Sequence, residues 1–178
     1  MNINQMEKNI CDTVKEWQMK LGYQEEAMSL YYPMASLEDL LEVSVRNEEE
    51  MQARLEEFNA VTEVRLGRLD ISHDKDRFCL KLSKEGIRYI HESWEESAFL
   101  KAFLKVVTED GCSLAQIRET FAAFGSDVVE VHQEEEEGME HLFYFASGKP
   151  DEYVYCIHLD EFGATYHRFT RKDYEKLQ

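Results

Sequence analysis

Three residues near the carboxyl end of the chain carry side chains that can do chemistry together: Cys156, His158 and His167. The run DEFG at 160–163 predicts a turn between two strands, and a four-residue loop there places Cys156 opposite His167. His158, two residues from Cys156, then lies on the same face. A thiol and two imidazoles can ligate a metal ion, or an imidazole can serve as the base for a thiol nucleophile. A register shift of one residue would separate them, and Cys and His are common in sheets for packing alone.

A second pair of histidines, His132 and His141, flanks the acidic run Glu135-Glu136-Glu137-Gly138. The same hairpin geometry places the two imidazoles opposite each other, near several carboxylates, and this combination suits a divalent metal. The alternative is a solvated hairpin tip with histidines at the wet ends of its strands. We favour the tip, because acidic runs are far commoner than ligand cages. No metal is therefore expected, and His132 and His141 are the weak candidates.

The densest cationic and aromatic cluster is the run 166–169, which includes Tyr166 and Arg168. Arg168 can hold a carboxylate or phosphate through two hydrogen bonds, but an ion pair with one of the many acidic residues is favoured. The candidate pocket or ligand-binding residues are therefore Cys156, His158, His167, Arg168 and Tyr166.

Sequence motifs of the well-known catalytic sites are absent from the chain. There is no glycine-rich phosphate loop, no GxSxG and no GxGxxG, and the segment from His91 to Glu95 lacks the second histidine of HExxH. The four cysteines include no CxxC pair, so neither a zinc ribbon nor a thioredoxin motif is present. We expect no cofactor.

The elements that must position these residues change in character along the chain. Apolar residues at helical spacing begin near Ile3, and Asn47 followed by three glutamates predicts a helix start. Further helix starts are predicted at Ser36, Ser93 and Ser113, and an extended segment is predicted from Val64 to Ile71. Four β-rich runs separated by short turns follow Asp127 and predict an antiparallel meander. The expected fold class is α+β, with a helical part over 1–110 and a helix plus antiparallel sheet over 111–178, packed as one compact unit.

Residues Ser36 to about Glu92 predict a short helix, a second helix, a strand, a polar turn at 73–76, a strand and a helix. In this layout, and in the segment LKLSKEGIRYI after the turn, the region resembles a winged-helix domain. The resemblance implies that the second helix, 47–58, would enter the DNA major groove. That segment has five glutamates and one arginine, and base edges and phosphates require cationic or amide side chains there. A structural or protein-binding role is therefore favoured for this part.

The charge of the whole chain narrows the choice of partner. Against 37 acidic residues there are 20 lysines and arginines, which gives a net charge of −17. Nucleic acids and anionic membranes repel such a chain, whereas a basic protein is attracted to it. The polar start, the absence of a long apolar run and the unpaired spacing of the cysteines suggest the cytoplasm.

Three functional hypotheses follow from the sequence. The leading one is a non-enzymatic acidic interaction or inhibitor-type module that binds a basic protein. The alternative is a small enzyme or metal-binding protein that uses the Cys/His cluster of the last sheet. The third is a winged-helix transcriptional regulator.

Overall fold

Hydrophobic periodicity and local capping account for most of the secondary structure. The computed structural model describes residues 1–135 and 138–177, and these residues form seven helices and two antiparallel sheets. The α+β class predicted from the sequence is confirmed. The chain divides into two compact units, Met1–Glu95 and Glu96–Gln178.

The first unit combines helices with a small sheet. Its helices are α1 (Ile3–Leu21), α2 (Met34–Leu41), α3 (Glu48–Leu66) and α4 (Lys84–Ser93), and its strands are β1 (Met28–Pro33), β2 (Asp70–Asp74) and β3 (Arg77–Leu82). Strand β3 lies in the middle of the sheet and is antiparallel to both neighbours. From α2 to α4 the order of elements is the predicted one. Strand β1 is an additional edge strand, a position in which proline is tolerated.

Helix α2 begins earlier than its predicted cap. Ser36 lies inside the helix, which starts at Met34, and the N-cap residue Pro33 makes no side-chain capping hydrogen bond. The first backbone N–H, that of Met34, instead donates to the Asp76 carbonyl at 2.7 Å. Because this partner comes from the β2–β3 turn, a local capping pattern could not reveal the helix start.

Helix α3 begins at its predicted cap and ends later than predicted. The Asn47 side chain accepts a hydrogen bond from the Glu50 backbone N–H at 3.0 Å. The prediction of an extended segment from Val64 was wrong, because Val64 and Leu66 lie in the last turn of the helix. The strand begins only at Asp70.

The chain between the two units also departs from its predicted capping. Helix α4 ends at Ser93, so the predicted helix start there was wrong, and Ser97 accepts from the Leu100 backbone N–H at 3.2 Å instead. Trp94 is extended, and its indole N–H donates to Asp12 of α1 at 2.9 Å. This bond holds Trp94 in the first unit, and the division after Glu95 falls earlier than residue 110.

The second unit packs two helices on one face of a meander. Its helices are α5 (Ala98–Val107), α6 (Leu114–Phe124) and α7 (Arg171–Leu177), and its strands are β4 (Val128–Glu135), β5 (Gly138–Phe145), β6 (Val154–Asp160) and β7 (Gly163–Phe169). The strands follow one another in the order β4-β5-β6-β7, which confirms the predicted meander. The capping box predicted at Ser113 is present, with Gln116 as its second member. Part of the predicted acidic turn, Glu136-Glu137, lies outside the described residues.

Each face of this sheet has its own covering. Phe143 and Tyr155 contact Phe121 of α6, with ring centroids 5.0 and 5.6 Å away. On the other face, Cys156 belongs to a small buried cluster against which Tyr174 of α7 packs. Within the described part of the chain, no helix has the length and apolarity needed to cross a membrane.

Candidate functional site

The predicted pairing on the last hairpin is confirmed. Cys156 lies directly opposite His167, and His158 is two residues along from Cys156 on β6. Cys156 is 7% exposed, His158 is half-buried and His167 is exposed. Side chains two residues apart on a strand stand roughly 7 Å apart. The group of close ligand atoms found among the described residues does not include Cys156, His158 or His167. Their proposed role as ligands or nucleophile stays a prediction.

Tyr166 and Arg168 lie on the opposite face of the same sheet, because they alternate with His167 along β7. The ring of Tyr166 meets that of Phe103 edge to face at 5.0 Å. The Arg168 guanidinium lies 4.3 Å from the centre of the Tyr153 ring. Tyr155 of strand β6 is buried, and this burial raises the pKa of its phenol well above its usual value. The five candidate residues are thus divided between two faces of the sheet.

The structure brings together a different set: Glu130, His132 and His141. His132 lies opposite His141, as predicted, and Glu130 precedes His132 by two residues and so shares its face. The Nδ1 atoms of the two imidazoles are 2.8 Å apart, and Nε2 of His132 is 3.1 Å from Oε1 of Glu130. One possible ligand atom from each residue lies within 4.8 Å of the other two.

A cation from helix α6 completes this cluster. Both carboxylate oxygens of Glu130 accept hydrogen bonds from the Arg118 guanidinium, at 2.7 to 2.9 Å. Arg118, acting first through these hydrogen bonds, lowers the pKa of the Glu130 carboxyl below its usual value. The carboxylate is therefore ionised at neutral pH.

The two imidazoles differ in their surroundings. His141 is 8% exposed, whereas His132 is exposed on the edge strand β4. Burial lowers the pKa of His141, and the neighbouring His132 lowers it further. His141 is therefore neutral at pH 7 and has a lone pair on one ring nitrogen. Solvent reaches the cluster from the His132 side.

Sequence reasoning found the two histidines of this cluster but missed Glu130 and Arg118. The alternation Glu130-x-His132 within a predicted strand is a signal that could have found the carboxylate. Arg118 carries no such signal, because it comes from the preceding helix and only the packing of α6 on the sheet brings it to β4.

The first unit has an open groove of about 720 Å³ beside the β2–β3 turn. Its lining residues are Tyr31, Ser72, His73, Asp74, Asp76, Arg77 and Cys79. The Arg77 guanidinium lies 5.6 Å from the centre of the exposed Tyr31 ring. Carboxylates and a guanidinium share the lining, so its charge favours no class of ligand.

The four thiols differ in their access to solvent, and this predicts an order of reactivity. We expect iodoacetamide at pH 8 to modify Cys79 first, because it is half-buried while Cys11, Cys112 and Cys156 are buried. Burial, with the charges of Glu7 and Asp12, raises the pKa of Cys11 to about 12, so only about one molecule in ten thousand carries the thiolate at pH 8. Mass spectrometry of the native protein measures the order. Cys79→Ser should remove the fast phase, and early modification of Cys11 would contradict its buried position on α1.

Comparison with known proteins gives one match. The family model described as "Domain of unknown function, E. rectale Gene description (DUF3877)" matches residues 3–178, and the chain therefore belongs to that family. No curated protein and no solved structure matches the chain. The match extends over both compact units, except for the first two residues of the first unit.

Proposed function

We propose that this protein is a non-enzymatic interaction module that binds a basic protein through the outer face of helix α3. The observation that carries the proposal is an exposed pair of valines, Val61 and Val64, on a helix whose other exposed residues are mostly glutamates. In the winged-helix-like layout predicted from the sequence, α3 would hold the place of the helix that contacts DNA.

The charge of α3 favours a cationic partner. The helix contains six glutamates and two arginines, a net charge of 2 − 6 = −4. Both arginines are already engaged within the protein, Arg54 with Glu57 at 3.0 Å and Arg65 with Glu7 at 2.6 Å. The outer face therefore presents exposed carboxylates, including those of Glu56 and Glu63, for which the described residues supply no ion pair. This field attracts a basic surface and repels phosphates.

The exposed apolar residues of the same face supply apolar surface that a partner can bury, which charge alone does not. Val64 is 93% exposed and Val61 is 51% exposed, and residues three apart on a helix are surface neighbours. Ala60 is also exposed, one turn before Val64. An apolar centre with a charged rim is the usual composition of a protein interface, and exposed valines next to each other gain free energy when a partner covers them.

The other two hypotheses receive less support. A DNA-binding regulator would need cations on the outer face of α3, where Glu49, Glu56 and Glu63 lie. An enzyme or metal protein built on Cys156, His158 and His167 would need these side chains to converge, and they do not form a close ligand group among the described residues. The four thiols, none of them in a disulfide, agree with an expected cytoplasmic location.

Reversing the charge of the α3 face should abolish partner binding. We expect the wild-type chain, immobilised, to retain a basic protein from a native lysate of its own cells at about 50 mM salt and to release it by about 500 mM, where the screening length is a few ångströms. Glu56→Lys with Glu63→Lys should lose the partner at low salt, and Val61→Ser with Val64→Ser should weaken retention at every salt concentration. Quantitative mass spectrometry measures the retained protein.

A matched control distinguishes the effect of charges on this face from the effect of total charge on binding. Glu119→Lys with Glu161→Lys makes the same change in total charge at exposed positions of the second unit, and this variant should retain the partner. Equal losses in the two charge-reversed variants would mean that only the overall field matters. A wild-type chain that retains nothing at low salt, or that binds duplex DNA there, would overturn the proposal.

A further inference from the structure

We infer that Glu130, His132 and His141 form a binding site for a divalent metal ion such as Zn²⁺. The inference is independent of the proposed partner of α3, because the cluster belongs to the second unit and uses different residues. The sequence favoured a solvated hairpin tip at this place. The geometry of the three described side chains favours a ligand set.

The two imidazoles already bring one nitrogen each to the same place. Their Nδ1 atoms are 2.8 Å apart, so one ring donates a proton to the lone pair of the other. Two nitrogens bound to one tetrahedral zinc ion, each at about 2.0 Å, are about 3.3 Å apart. An opening of about half an ångström, with loss of the shared proton, therefore makes room for the ion between them.

The carboxylate of Glu130 supplies the third ligand. It is ionised and already contacts the His132 ring at 3.1 Å, and its possible ligand atom lies within 4.8 Å of those of both histidines. Arg118 donates hydrogen bonds to both of its oxygens, and each carboxylate oxygen has a second lone pair for a further contact. To bind the ion, the Glu130 side chain must turn from Nε2 of His132 toward the two Nδ1 atoms and give up part of its hydrogen bonding to Arg118.

The donor types and the nearby cation select among metal ions. Two imidazoles and one carboxylate suit Zn²⁺, Ni²⁺ or Cu²⁺, whereas Mg²⁺ and Ca²⁺ prefer shells made of oxygen. The Arg118 guanidinium offsets the charge of Glu130, so ions that depend on charge alone gain little here. Three protein ligands leave at least one coordination position for water or a small ligand.

Zinc titration of the full chain, purified without a polyhistidine tag and stripped with a chelator, tests the site. We expect one Zn²⁺ to bind per chain with a dissociation constant in the micromolar range, and no binding of Mg²⁺ at the same concentrations. His132→Ala and Glu130→Gln should each weaken zinc binding at least about tenfold, since even residues that only orient a ligand contribute that much. Isothermal titration calorimetry measures these affinities.

His167→Ala is the matched control, because it removes one exposed histidine from the other face of the same sheet. It should leave zinc binding unchanged. The imidazole nitrogen NMR signals of His132 and His141 should move on zinc addition, while those of His158 and His167 stay in place. Circular dichroism of each variant checks that it is folded; if His132→Ala is not, Glu130→Gln and the NMR signals of the wild-type chain decide.

The inference is overturned if Zn²⁺ does not saturate the protein below about 1 mM. A dissociation constant of about 1 mM corresponds to a binding free energy of only about 4 kcal/mol. It is also overturned if folded His132→Ala binds zinc as the wild type does, or if only the signals of His158 and His167 respond. If His132→Ala or Glu130→Gln loses zinc binding but still retains the α3 partner, the result supports the metal site and shows that the two activities are separate.

Discussion

Phe121→Ala is expected to lower the free energy of unfolding of the second unit by about 4 kcal/mol, because buried phenylalanines cost 3–5 kcal/mol when truncated. Phe121 is fully buried on α6. Its ring centroid lies 4.8 to 5.9 Å from those of five other aromatic rings, Phe99, Phe103, Phe143, Phe145 and Tyr155. These five rings come from helix α5 and strands β5 and β6, so the cavity left by the substitution cannot collapse without moving several elements.

Phe162→Ala is the matched control for this loss. Phe162 lies in the β6–β7 turn and is 83% exposed, so the same substitution there should change stability by less than about 0.5 kcal/mol. Urea unfolding followed by circular dichroism gives the two free energies, and hydrogen exchange of the central β5 and β6 amides reports on the second unit directly. Similar effects at the two positions would mean that α6 is not packed on the sheet as described.

The parts of the fold that local chemistry determines could be predicted from the sequence. The cap at Asn47 and the capping box at Ser113 lie where their side chains and the following residues place them. The register of the last hairpin was also predictable, because its turn residues determine it. Asp160 Oδ1 accepts hydrogen bonds from the backbone N–H groups of Phe162 and Gly163, at 2.8 and 3.0 Å, and this closes the turn.

The parts that tertiary contacts determine could not be predicted. The last turns of α3 carry two polar residues, Asn59 and Thr62, on their buried side, which interrupts the hydrophobic pattern. Asn59 is buried because its amide binds the backbone of Leu69, to the N–H at 2.9 Å and to the carbonyl at 3.0 Å. The same limit applies to the candidate site: the sequence predicted the pairing of His132 with His141, but only the packing of α6 brings Arg118 to Glu130.

The junction of α3 and α4 shows how such a contact reverses an expectation based on helix propensity. Gly86 lies in the first turn of α4, where replacement by alanine should favour the helix by about 1 kcal/mol. A Cβ atom at this position would lie 2.1 Å from the Leu66 carbonyl oxygen and 3.1 Å from its carbonyl carbon. The obstacle is backbone at the end of α3, so no side-chain rotation relieves it.

Gly86→Ala should therefore destabilise the first unit by about 2 kcal/mol, which is an overpacking cost of about 3 kcal/mol less the gain in helix propensity. Lys84→Ala, an exposed change in the same turn, should stay within about 0.5 kcal/mol of the wild type. Both tryptophans, Trp17 and Trp94, lie in the first unit, so their fluorescence during urea unfolding measures its stability. If Gly86→Ala were more stable than the wild type, propensity alone would govern this turn and the close approach of α4 to the end of α3 would be wrong.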